Sequence, residues 1–194
     1  MYKPGKRGPF PSRHTVVISD VPSMYWKLVW DIDQFGEIQR YDSELMEPLA
    51  FSAINVCISA SSLRDWVVTA YVARQRSEDR KAQRDQVIEH IYRHISQQKM
   101  CEAIANTAKH SRFNEGQWTG GSVRIDFDEP TEDAPGGFIL RHVHEDGVFS
   151  SIALNAFDSL RRNWWGELQN LGFAFPNTAP AWQQVRLQRL FGPR

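Results

Sequence analysis

Between Leu49 and Phe113 the chain contains neither glycine nor proline, the two residues that most readily interrupt a helix. A turn-rich β architecture is therefore excluded over that span. Cysteine is almost missing as well: Cys57 and Cys101 are the only two, too few for a disulfide framework or a cysteine-rich zinc module, and each is expected inside a helix as a small core residue. Nowhere do about 18 consecutive apolar residues occur, the length a membrane span requires. The opening MYKPGKRGPFPSRH carries basic residues without an apolar run behind them, so neither a secretion signal nor a membrane anchor is expected and the cytoplasm is the expected location. No phosphate loop, nucleophile elbow or cysteine-rich metal box is found.

What remains is an ordinary globular composition, 194 residues with 41% hydrophobic and 24% charged, enough to bury one sizeable core. The net charge of zero conceals a division along the chain. Residues 1–14 hold Lys3, Lys6, Arg7 and Arg13 without an acid, and residues 177–194 hold Arg186, Arg189 and Arg194 without an acid, which leaves 16 basic against 23 acidic residues between them. The expected organisation is a flexible basic arm over residues 1–14, a single helical domain over 15–176 with a hairpin inserted at about 117–152, and a basic tail or short helix over 177–194. The charged ends would either meet nucleic acid or an acidic partner, or dock on the acidic body.

The fold class expected is α+β, mostly α: an antiparallel helical bundle with a small antiparallel hairpin or sheet before the last long helix. Asp20 and Pro22 are start signals for a helix with Tyr25, Leu28, Val29, Ile32 and Phe35 on one face, and Gly36 marks its expected end. From Pro48 onward, Leu49, Ala53, Val56, Ala60, Leu63, Val67 and Ala70 follow a 4-3 spacing, the narrow seam of helices packed nearly antiparallel. A third helix carries Val87, Ile88, Ile91 and Ile95, and a fourth carries Met100, Ile104, Ala108 and Ser111. Then the period changes. Val123, Ile125 and Phe127 alternate with polar residues, and Asp146-Gly147 supplies a two-residue hairpin turn. From about Ala153 the helical period returns through Phe157, Leu160, Trp164, Leu168 and Leu171.

Several groups of side chains have chemical potential. On the third helix Arg80 and Arg84 prolong the apolar stripe, so they either overhang the bundle or line a cleft suited to phosphate or carboxylate. His90 and His94 stand one turn apart, and His142 and His144 share one face of a strand. These four histidines would form a metal site only if the sheet packed beside the third helix, so the expectation is no metal and no cofactor. Asn106 and His110 are one turn apart on the fourth helix, among Lys109 and Arg112, an arrangement that either fixes an imidazole tautomer or complements the helix dipole. Across residues 64–112 ten basic residues face six acidic ones. Trp164 and Trp165 are adjacent and point to different sides, which makes Trp165 a candidate anchor for a partner.

The helix containing SSLRDWV, the basic helix with Arg84 six residues before His90, and the following ANTAKH together resemble the HEPN-type helical bundles and related small bacterial and phage proteins over residues 48–113. The resemblance implies a homodimer in which an arginine and a histidine, here Arg84 and His90 with Asn106 and His110 as second candidates, cut RNA without a metal. On an ideal helix Arg84 and His90 lie about 120° apart, so a partner chain or an irregular helix start would have to bring them together. Two functions are therefore expected to compete. The first is a non-enzymatic interaction protein of a bacterial or phage mobile-element or defence system, binding a protein partner or a second copy of itself through the bundle. The alternative is a HEPN-like, metal-independent ribonuclease or RNA-binding effector, with Arg80, Lys109, Arg112 and Trp165 as binding residues.

Overall fold

The computed structural model describes residues 17–75, 79–110, 120–132, 136–143, 145, 150–175 and 179–191. Helix α1 (Val21–Tyr41) opens with a reciprocal cap: the Asp20 carboxylate accepts from the Ser23 amide at 2.8 Å, and the Ser23 hydroxyl oxygen accepts from the Asp20 amide. Both bonds satisfy amides that a helix start leaves without partners. The helix does not stop at Gly36 as its sequence implies. It continues to Tyr41, and Gly36 is buried at a point where Leu154 of a later helix lies 3.5 Å from the position of a Cβ. The glycine serves helix packing there rather than termination.

Helix α2 (Met46–Arg74) realises the 4-3 seam, with Leu49, Ala53, Val56, Ala60, Leu63 and Val67 buried. Its principal neighbours are α1 and α4 (Gln98–His110), and α3 (Arg80–His94) packs on its far half. By length and composition α2 also reaches the threshold of a membrane span, with a mean hydropathy of 1.2 over its most apolar window, half of which is buried in the protein. Asp31 of α1 is buried beside it and is bonded to Lys27 and Ser59. Between α2 and α3, Asp79 caps α3 by accepting from the Ala82 amide at 2.9 Å; residues 76–78 lie outside the described residues.

On α4 the expected stripe is displaced. Gln98, Cys101, Glu102 and Ala105 face inward with Met100, Ala108 is exposed, and Ser111 lies outside the described residues. Polar side chains occupy this interface because they bond one another. Buried Gln98 donates to the Ala60 carbonyl and to Glu102 and accepts from the Trp164 indole at 3.0 Å. Cys57 and Cys101 are both buried and free. The Cys101 thiol, bonded to Cys57 and shut off from solvent, is pushed well above the usual thiol range, so it behaves as core rather than as a nucleophile.

Strands β1 (Ser122–Asp128), β2 (Gly137–Val143) and β3 (Ser150–Ile152) form an antiparallel sheet in that order, ahead of α5 (Ala153–Asn170). The Asp146-Gly147 turn expected between β2 and β3 falls outside the described residues. On α5, Phe157, Leu160, Trp164 and Leu168 are buried as the period implies. Trp165 joins Tyr25, Trp26 and Phe175 in an aromatic cluster. Helix α6 (Ala181–Phe191) docks on α1, with Trp182 edge-on to Trp30 at 5.1 Å and Arg186 paired with Asp33 and Glu37. At Arg186 the basic C-terminal segment therefore answers acidic groups of its own body.

Candidate functional site

A groove of about 580 Å³ lies between the start of α1 and the end of α2, lined by Asp20, Trp66 and Phe173 among others, and two other places combine exposure with incomplete packing. The first lies between α3 and α5. Helical spacing sets His90 and His94 one turn apart, with ring centroids 4.2 Å from each other. The His94 Nδ1 bonds the His90 carbonyl oxygen at 2.8 Å, and His90 Nε2 meets Glu167 Oε1 at 2.6 Å. The Glu167 side chain is only 2% exposed, whereas that of His90 is 41% exposed. Ring nitrogens of both histidines and a carboxylate oxygen of Glu167 all lie within 4.8 Å of one another. His90 also borders a groove of about 280 Å³ together with Tyr71, Gln75, Gln83 and Gln86, and the Gln83 side-chain oxygen is buried there without a hydrogen-bond partner.

The partner of His90 is thus Glu167, not the pair on the sheet. His142 instead bonds the Gly120 carbonyl at 3.0 Å, and His144 lies outside the described residues. Glu167 was legible in principle: in the series Leu160, Trp164, Glu167 and Leu171 it holds a position that a 4-3-4 core pattern reserves for an apolar side chain. A lone carboxylate on a buried stripe marks a place where a partner must come from another element.

Arg84 is exposed on α3, and no hydrogen bond or ion pair joins it to His90 within the described residues. Arg80 is exposed at the first turn of the same helix. Asn106 is half-buried, Lys109 and His110 are exposed, and Arg112 lies outside the described residues. Trp165 is committed to the aromatic cluster on α1.

The second place is the sheet. Its outer face carries Ile139 and Val143 beside an ion-pair network: Arg124 and Arg141 both meet Asp126, and Arg141 also meets Asp128 at 2.9 Å. Its inner face is apolar, because the register sets Val123 opposite His142, Ile125 opposite Leu140 and Phe127 opposite Phe138. Strands β2 and β3 rest on the bundle, and β2 is tied to the α1–α2 turn by the Phe138 amide donating to the Ser43 carbonyl at 2.6 Å and by Gln39 donating to the Phe138 carbonyl at 2.7 Å. A side chain at Gly137 would strike Ser43, so this close approach requires glycine there. Strand β1 contacts chiefly β2, and its Ile125 packs against the core. Between its inner face and α2, α4 and α5 a cavity of about 260 Å³ stays open, lined by Ala50, Ile54, Ile104 and Val123 among others. On the same strand face Phe127 is 50% exposed, and on α2 Phe51 is 63% exposed.

No family model, no curated protein and no solved structure matches this chain. Function must therefore be argued from these two places.

Proposed function

We propose that the chain is a non-enzymatic interaction protein, acting in the cytoplasm within a bacterial or phage mobile-element or defence system, and that its partner is another protein. The observation that carries this reading is the edge strand β1. Its outer edge has no strand beside it among the described residues, Val123 and Ile125 of its inner face line an open apolar cavity, and Phe127 on that face is half exposed. An edge strand offers unpaired backbone donors and acceptors, and pockets beneath it select alternate side chains of an added segment. Phe51 and Met46 on the first turns of α2 are exposed as well. A photo-crosslinking residue at Phe127 should capture one partner protein in cells, and the same residue at the exposed Glu89 of α3 should not. Phe51→Asp with Phe127→Asp should abolish capture at a third position beside the groove while leaving the thermal melt unchanged. Equal capture from both faces would defeat the reading.

The ribonuclease alternative is favoured by one observation, the half-exposed imidazole of His90 held by a buried carboxylate, which is how a general base is commonly oriented. Arg84 would have to reach it from the partner of a homodimer. Cutting of single-stranded RNA in EDTA, abolished by Arg84→Ala and by His90→Ala, would support that alternative; cutting that survives either change would remove it.

A further inference from the structure

Where α3 meets α5, a buried carboxylate faces a half-exposed imidazole. Glu167 is buried to the same degree as residues of the hydrophobic core, yet the side-chain bond that it makes among the described residues is to His90 alone. A buried carboxylate with one neutralising neighbour carries a desolvation cost that a single half-exposed imidazole offsets incompletely. A divalent cation would offset it further. The neighbouring geometry has the features of a ligand set: His94 directs Nδ1 to the His90 carbonyl, which holds the ring in the tautomer whose Nε2 lone pair is free. That same bond to a backbone carbonyl is what commonly orients metal-bound histidines.

We infer that His90, His94 and Glu167 form a three-ligand site for a divalent transition metal of the zinc class, with its remaining coordination position open to solvent on the exposed side of the two histidines. Imidazole and carboxylate donors at i and i+4 on one helix and on a neighbouring helix suit zinc or cobalt and not calcium or magnesium, which take oxygen donors. In a tetrahedral zinc site neighbouring ligand atoms lie about 3.3 Å apart. From atoms now within 4.8 Å of one another, binding requires His90 and Glu167 to part slightly and the exposed His94 ring to swing inward. The exposed ring and the open groove allow that movement without disturbing the core. The fourth position takes a water molecule, since His90 and His94 leave the site open to solvent. The inference does not depend on which function the chain performs.

The test is titration of chelator-stripped full-length protein with cobalt(II) alone, then competition with zinc(II). One cobalt per chain with the intense visible absorption of a four-coordinate ion is expected, displaced by one zinc. His94→Ala and Glu167→Gln should each weaken binding by more than the about 10–100-fold that loss of a supporting hydrogen bond costs, and His142→Ala, on the sheet, should leave it unchanged. His94 is exposed and Glu167→Gln keeps the volume of the side chain, so both variants should retain the circular dichroism spectrum of the parent. Absence of stoichiometric cobalt binding overturns the inference. So does binding that survives both variants or that is lost with His142→Ala.

Discussion

Glu102 and Glu167 are both glutamates buried on helices of the same bundle, and their surroundings differ in the way that separates architecture from a site. Glu102 accepts from the Tyr92 hydroxyl at 2.7 Å and from Gln98 at 2.8 Å, and lies 3.2 Å from Arg64. Through Gln98 it is linked to Trp164 and to the backbone of α2. Glu167 meets one imidazole that is open to solvent on its other side. A carboxylate enclosed by three donors has no capacity left for a ligand, whereas one held by a single displaceable imidazole retains it. The sheet repeats the contrast: its outer face pairs every arginine with an aspartate, while its inner face leaves a phenylalanine half exposed.

The comparison can be broken most sharply at Glu102. Glu102→Ala leaves Arg64, Tyr92 and Gln98 without their shared acceptor and should destabilise the fold by about 3–5 kcal/mol in urea melts; a loss under about 1 kcal/mol would show that the network is ornamental. On the α2 seam Val56→Ala or Leu63→Ala should cost about 2–4 kcal/mol through lost burial and an unfilled cavity. Glu167→Ala should cost about 1 kcal/mol in the absence of metal, since His90 can be hydrated once the carboxylate is gone. An equal cost at Glu102 and Glu167 would erase the distinction drawn between them. Phe127→Ser on β1 should change monomer stability by less than about 0.5 kcal/mol, so that any effect on partner capture is read free of unfolding.

The last effect appears only in alkali and concerns two tyrosines. Burial raises Tyr92 to about 12, reinforced by its bond to Glu102, and burial raises Tyr25 to about 12 as well. Each keeps its proton in the folded chain while the unfolded chain would release it at its ordinary value near 10, so the associated stability is complete below pH 10 and falls as pH rises from 10 toward 12. Ultraviolet titration should therefore show two of the five tyrosines ionising late, and Tyr92→Phe should remove one of them and flatten the alkaline decline in melting temperature.

Much of the architecture is determined by the sequence itself. Caps and periodicities act between residues three or four positions apart, so Asp20 with Ser23 starts α1, the 4-3 seam defines the buried face of α2, and Gly172, at φ +73°, follows the end of α5. The alternation of Val123, Ile125 and Phe127 likewise identified β1 and its apolar face. Local rules misled where a residue answers to a distant neighbour. Gly36 is read as a stop until Leu154 is seen against it, and Met100 with Ala108 looks like the buried stripe of α4 until Gln98 and Glu102 find their partners.

Only the tertiary structure decided the candidate sites. His90 and Glu167 are 77 positions apart, and no periodicity relates α3 to α5, so the sequence offered only the sheet histidines, as a loose option, and not Glu167. Where the sheet rests on the helices depends on how the Ser43 turn anchors β2, a contact between elements that β-propensity cannot encode. The physical reason is one of range: hydrogen-bonded turns and pleats fix which residues share a face, but the juxtaposition of two faces is settled by burial of the whole core, in which each side chain's choice depends on all the others.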